Sequence, residues 1–202
     1  MSEQDPIVIV GSARTPMGGM MGDFTPVTAS QLGSGAIEAA LQRAGINGDD
    51  VDEVIMGNVL GAGQGQAPAR QASKGAGIPD AVGATTINKM CGSGMKAAMF
   101  GHDLLVAGSA QVVVAGGMES MTNAPYLLPN ARGGMRLGHG DVKDSMFLDG
   151  LEDAYDKGLP MGVFAEQTAQ HYQFTREQQD AYAIESLTRA QKATADGSFA
   201  GE

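Results

Sequence analysis

The chain has 202 residues, 43% hydrophobic and with 30 glycines, and its 13 basic against 23 acidic side chains give a formal charge of -10. That length carries one good core, or one domain with an appendage, and the glycine content fits a compact α/β protein with many tight turns. The acidic balance argues against a nucleic-acid partner or an anionic membrane surface, no apolar run is long enough to span a bilayer, and a single cysteine excludes an internal disulfide and fits a reducing compartment.

The opening Met1-Ser2-Glu3-Gln4-Asp5 is acidic and lacks the charged and apolar regions of a signal peptide, so cytoplasm is the expected location. Ile7-Val8-Ile9-Val10 is a continuous β-branched run and predicts a strand covered on both faces. The loop from Gly11 to Met21 carries Arg14, which can bind an anion or pair with a carboxylate, and Gly18-Gly19 lacks the spacing of a dinucleotide fingerprint. Thr28 is placed to cap a helix running to about Ala44, with Leu32, Ala36, Ala39, Ala40 and Ala44 on one narrow apolar face and Gly45 as its C-cap.

Asp52 to Met56 predicts the second strand. A loop from Gly57 to Gly65 leads to a short helix over Gln66 to Gly75, whose small residues Ala67, Ala69 and Ala72 imply close packing, within the chain or against another subunit. Thr85-Thr86-Ile87 reads as a third strand, and Met95 to Val106 as a helix apolar nearly all round, expected to be buried between layers. Gln111 to Ala115 is a fourth buried strand. Strands alternating with helices predict an α/β fold with a mostly parallel sheet and right-handed crossovers. Beyond Glu119 the prolines and glycines break any period. Arg132, Arg136 and Lys143 form a small basic cluster there, and two helices close the chain, the second with Thr175 and Gln178 as a capping box.

Cys91 sits between the third strand and the apolar helix, and Gly92 and Gly94 are expected to let the backbone make the turn. A helix N-terminus presents unpaired N–H groups and partial positive charge, which suit an anionic sulfur and a developing oxyanion. The arrangement is the cysteine counterpart of a serine nucleophile elbow. The competing reading is a buried structural cysteine, the usual fate of a lone one.

Asn88-Lys89-Met90-Cys91-Gly92-Ser93-Gly94-Met95-Lys96-Ala97 resembles the nucleophile motif of thiolases. The resemblance runs the length of the chain, through Arg14-Thr15-Pro16, Gly57-Asn58-Val59, Gly116-Gly117-Met118-Glu119-Ser120-Met121-Thr122-Asn123-Ala124-Pro125-Tyr126, and Met161-Gly162 with Ala165-Glu166. It implies a layered thiolase-like fold in which residues 1–119 form the N-terminal domain carrying the nucleophile and residues 120–202 part of the loop domain. The basic cluster is then either solvated loop or the start of that domain, part of which reaches a neighbouring subunit.

The implied chemistry is acyl transfer. Two acetyl-CoA condense to acetoacetyl-CoA, or the reverse thiolysis occurs, through an acyl-thioester on Cys91. The Cys91 backbone N–H is one oxyanion donor. Met161 and Ala165 line the acyl pocket, where ordinary core packing is the plainer reading. Coenzyme A thioesters are substrates, with no covalently bound cofactor, and the complete protein is expected to be a homo-oligomer, dimer or tetramer. In the family the activating histidine, a second acid/base cysteine and a water-holding asparagine lie in a second, repeated half, whose motifs these residues do not contain. His102, His139 and His171 read as surface or packing residues, and one cysteine makes a zinc site an unlikely design. The sequence is therefore expected to be a truncated thiolase, inactive alone. The alternatives are a non-catalytic assembly fragment and another thiolase-fold condensing enzyme, such as a ketoacyl synthase.

Overall fold

The computed structural model describes residues 6–200. The acidic opening Met1–Asp5 lies outside the described residues. The chain divides into two compact units, with the boundary between Gly150 and Leu151.

The first unit is built on a three-stranded parallel sheet of β1 (Glu53–Gly57), β2 (Gly83–Ile87) and β3 (Val113–Gly117), in the order β2-β1-β3. Glu53 pairs with Gly83 on one side and Val113 on the other, and both ladders run in step to Gly57. Helices cover both faces. On one, α1 (Ala29–Ala44) and α2 (Pro68–Gly75) pack over Val54 and Met56, and their core includes Ile37, Leu41, Ala69, Ala72, Ile78, Val82 and Met118. On the other lies α3 (Ser93–Val106), where a methyl at Gly101 would sit 3.1 Å from Val113 Cγ1.

The local signals of α1 hold. The Thr28 hydroxyl accepts from the Gln31 N–H at 3.2 Å, Gln31 returns the bond in a capping box, and Gly45 closes the helix with φ of 67°. The buried stripe differs from the expected alanine face. It is Gly33, Ile37 and Leu41, spaced four apart, because Gly33 lets Met118 and Ala72 approach the helix backbone. Of the small residues expected to pack closely, Ala69 and Ala72 are fully buried in the same core, whereas Ala67 precedes α2 as its N-cap and is exposed.

Two expectations fail. Ile7–Val10 joins no ladder, and Ile9 is 92% exposed. Strand propensity mostly measures how well a side chain packs on neighbours, and among the described residues no strand pairs with this run, which is covered only in part. It passes the C-terminal end of α1, where the Arg43 guanidinium donates to the Ser12 carbonyl at 2.7 Å. Nor is α3 buried on all sides. The sheet takes only the stripe Ser93, Ala97 and Gly101, while Met95 is 76% and Met99 53% exposed on the rest of the helix.

Beyond β3, the short antiparallel pair β4 (Tyr126–Leu127) and β5 (Lys143–Asp144) frames the basic loop, in which Arg132 and Arg136 are exposed. In the second unit, α4 (Met161–His171) precedes α5 (Arg176–Ala195), whose capping box of Thr175 with Gln178 forms as expected. Met161 and Ala165 stand one turn apart on α4, and both are exposed, so neither is a core residue there.

Candidate active site

In a parallel sheet the loops leaving the C-terminal strand ends gather on one edge, the usual ligand-binding edge of α/β folds. Here those loops are Asn58-Val59-Leu60 after β1, Asn88 to Gly92 after β2, and Met118-Glu119 after β3. Cys91 stands on the loop after β2, an edge strand of the sheet, and is exposed, which removes the reading as a buried structural cysteine.

The turn that presents it is made differently from the sequence expectation. Gly92 has φ of -89° and Gly94 lies within α3; the left-handed residue is Met90, with φ of 50°. A non-glycine residue there is strained and persists only when its surroundings hold it. Two side chains do so. Asn88 Oδ1 accepts from the Met90 N–H at 2.9 Å. Ser93, buried in the first turn of α3, accepts from the Lys89 N–H at 2.8 Å and donates to the Met90 carbonyl at 2.5 Å.

Glycine enters through close approach. A methyl at Gly57 would lie 2.5 Å from Ser93 Cβ and 2.8 Å from the Gly94 nitrogen, and one at Gly117 would lie 3.4 Å from Gly94 Cα. These contacts seat the N-terminus of α3 directly on the ends of β1 and β3. The result is a cysteine at the start of a 14-residue helix, whose N-terminal partial charge favours negative charge; the Gly92 and Ser93 N–H groups that follow it donate to the Lys89 and Met90 carbonyls at 3.2 and 3.0 Å.

A second cluster braces the neighbouring loops and was not foreseen from sequence. The Glu119 carboxylate accepts from Asn58 Nδ2 at 2.8 Å, the Val59 N–H at 2.9 Å and the Leu60 N–H at 3.1 Å. Asn58 is buried and also donates to the Met118 carbonyl at 3.1 Å, and Gln64 Nε2 donates to Asn58 Oδ1 at 3.0 Å. The available signals were that both stretches, Gly57-Asn58-Val59 and Gly117-Met118-Glu119, stand at strand ends and belong to the motifs of the thiolase resemblance; neither says that they meet.

The histidines lie on other elements. His102 is exposed on the third turn of α3, 3.6 Å from Asp103; His139 is in the basic loop; His171 ends α4 against Tyr172. Met161 and Ala165 belong to the second unit. Among the described residues no helix is long and apolar enough to cross a membrane.

Residues 7–202 match the family model described as thiolase, N-terminal domain. The chain is 49% identical over 199 residues to the cytosolic acetyl-CoA acetyltransferase of Gibberella zeae, covering 98% of this chain and 50% of that protein. It is 50% identical over 196 residues to the mitochondrial acetyl-CoA acetyltransferase of Xenopus tropicalis, covering 97% and 46%. Among solved structures, a thiolase from Ascaris suum in complex with coenzyme A superposes with a TM-score of 0.91 at 41% identity, covering 96% of this chain and 50% of that one. The chain thus spans about half the length of the relatives it matches.

Proposed function

The chain belongs to the thiolase family, and from that premise we propose that it is the nucleophile-bearing part of an acetyl-CoA acetyltransferase. The observation that carries this is the exposed Cys91, held by a braced turn at the N-terminus of α3 on the loop edge of a parallel sheet.

In the first half-reaction the Cys91 thiolate attacks the thioester carbonyl of acetyl-CoA. The carbonyl becomes an oxyanion, with the Cys91 N–H as one donor to it, and collapse expels the coenzyme A thiolate and leaves an S-acetyl-cysteine. In the second, a base takes a proton from the methyl of another acetyl-CoA. The resulting carbanion attacks the acetyl-cysteine carbonyl, Cys91 leaves as thiolate, and acetoacetyl-CoA is released; thiolysis is the reverse. The residues described here supply the nucleophile and one oxyanion donor of the first step; the base that activates Cys91 and the acid/base of the second step are, in this reading, groups other than the three histidines of these residues. Met161 and Ala165, one turn apart on α4, line the acyl pocket in this reading. The division into residues 1–119 and part of a loop domain over 120–202 belongs to it too, as does a dimer or tetramer of the complete protein. A cytoplasmic setting is favoured by the Gibberella relative's name, a mitochondrial one by that of Xenopus.

The test is acylation. The chain is incubated with acetyl-CoA, and Cys91 acetylation is read by peptide mass spectrometry alongside free coenzyme A. Acetyl on Cys91 with matching thiol release, both abolished in Cys91→Ser, is the expected result. A folded chain that takes no acetyl group, either alone or with the second half of a thiolase supplied in trans, would remove the proposal.

A further inference from the structure

The bracing of Cys91 does not end at its own turn. Asn88, whose Oδ1 holds the Met90 N–H, points its amide the other way and donates to the Val59 carbonyl at 3.4 Å. Val59 is fixed in turn, because its own N–H donates to Glu119 Oε2 at 2.9 Å. Glu119 also holds the Leu60 N–H and the Asn58 amide, so three donors converge on one part-buried carboxylate. A carboxylate accepting several N–H groups forms charge-assisted bonds, roughly twice as strong as neutral ones. That makes Glu119 the rigid end of the chain and the Val59–Asn88 contact its long, weak link.

We propose that Glu119 is a positioning residue for the Cys91 nucleophile, acting through Val59 and Asn88 on the left-handed Met90 turn. This rests on Cys91 being the nucleophile. The physical reason is the strain at Met90. A turn at φ of 50° relaxes toward ordinary backbone angles once its clamps loosen. Cys91 is already exposed, so access does not limit its reactivity. What limits it is where the turn holds the sulfur-bearing residue relative to the first N–H groups of α3. Ser93 holds the helix side of the turn and Asn88 the strand side. Only Asn88 reports to another loop, and that loop is registered by Glu119.

The test is the rate at which iodoacetamide alkylates Cys91 at neutral pH in the full 202-residue chain, for the parent, Glu119→Gln, Asn88→Ala, Asn88→Ser and the pair Glu119→Gln with Asn88→Ala. Alkylation asks nothing of acetyl-CoA, so failure here is separable from failure of the acyl-transfer reading. Glu119→Gln and Asn88→Ala should each slow labelling about three- to tenfold, the size of one net hydrogen bond. The double variant should be no slower than Asn88→Ala alone, since both changes cut one line. Asn88→Ser should recover part of the rate, because a serine hydroxyl can accept from the N–H two residues on.

The control is Asp52→Asn. The Asp52 carboxylate accepts from the Gln111 and Val112 N–H groups at 2.7 and 3.0 Å, which hold it below the usual carboxylate range. Its loss weakens the sheet before β3, away from the turn, and should lower the melting temperature with no change in labelling. Additive losses in the double variant, or a labelling loss in Asp52→Asn equal to that in Glu119→Gln, would overturn the proposal. Melting curves identify any variant that does not fold, and if Glu119→Gln is one, Glu119→Asp takes its place in the single and double variants.

Discussion

Met90 carries the sharpest local consequence. Its side chain is 46% exposed, so little packing is at stake, but its φ of 50° is unfavourable for any side chain. Glycine pays no steric penalty there, whereas a β-branched residue is a genuine outlier. Met90→Gly should therefore be at least as stable as the parent. Met90→Val should lose about 1–3 kcal/mol, the usual cost of a strained backbone position. Urea unfolding of the two variants checks this. Valine tolerated as well as glycine would mean the turn relaxes freely and strain has no part in presenting Cys91.

At the scale of elements, the important joint is the one between α3 and the ends of β1 and β3. Helix and sheet normally keep side chains between them, but here the first turn of α3 rests on Gly57 and Gly117 backbone. Gly57→Ala would drive a methyl to 2.7 Å from the Ser93 carbonyl carbon and 2.8 Å from the Gly94 nitrogen. Those are backbone atoms at the start of a helix, and they cannot rotate away as a flexible side chain would. The helix N-terminus must lift, at a cost of about 1–3 kcal/mol for overpacking. Labelling of Cys91 should fall with it. A Gly101→Ala change meets side chains, Val113 Cγ1 at 3.1 Å and Ala115 Cβ at 3.7 Å, and should be milder. Comparing the melting temperatures of the two tests the ordering.

For the whole molecule, the unmatched surface is apolar. Met95, Met99 and Val106 are 76%, 53% and 53% exposed on α3, and Ile7 to Val10 range from 41% to 92%. Fully burying such a side chain is worth about 1.5–3 kcal/mol, and several together rival the net stability of a domain, about 5–15 kcal/mol. A surface of this kind drives association. The chain should self-associate or capture a covering partner, and Met95→Lys with Met99→Glu should raise the fraction of monomer. Because those two side chains touch little within the chain, stability should change by less than about 0.5 kcal/mol. Sedimentation velocity and melting curves together read both. A parent that is already monodisperse and monomeric at high concentration would remove the prediction.

The amino-acid order by itself determined what depends on neighbours a few positions apart. Thr28 with Gln31, Gly45, and Thr175 with Gln178 mark helix ends because caps are local hydrogen bonds. The alternation of strands and helices, and the placing of Cys91 between β2 and α3, follow from the same short range. The thiolase motifs located the nucleophile stretch but not its mechanics. What needed the tertiary structure was everything decided by distant partners. Glu119 meets Asn58 across 61 positions of chain, and no local pattern encodes that meeting. The face of α3 that is covered is the one that sets Ser93 and Gly94 against Gly57 and Gly117, and Gly101 against Val113, and composition alone made both faces look equally apolar. Ile7–Val10 has the residues of a strand and still finds no pairing strand among the described residues, because a ladder needs a partner as well as a propensity. Met90 bends left-handed although glycines stand beside it, because Asn88 and Ser93 hold that residue and leave Gly92 and Gly94 in ordinary geometry.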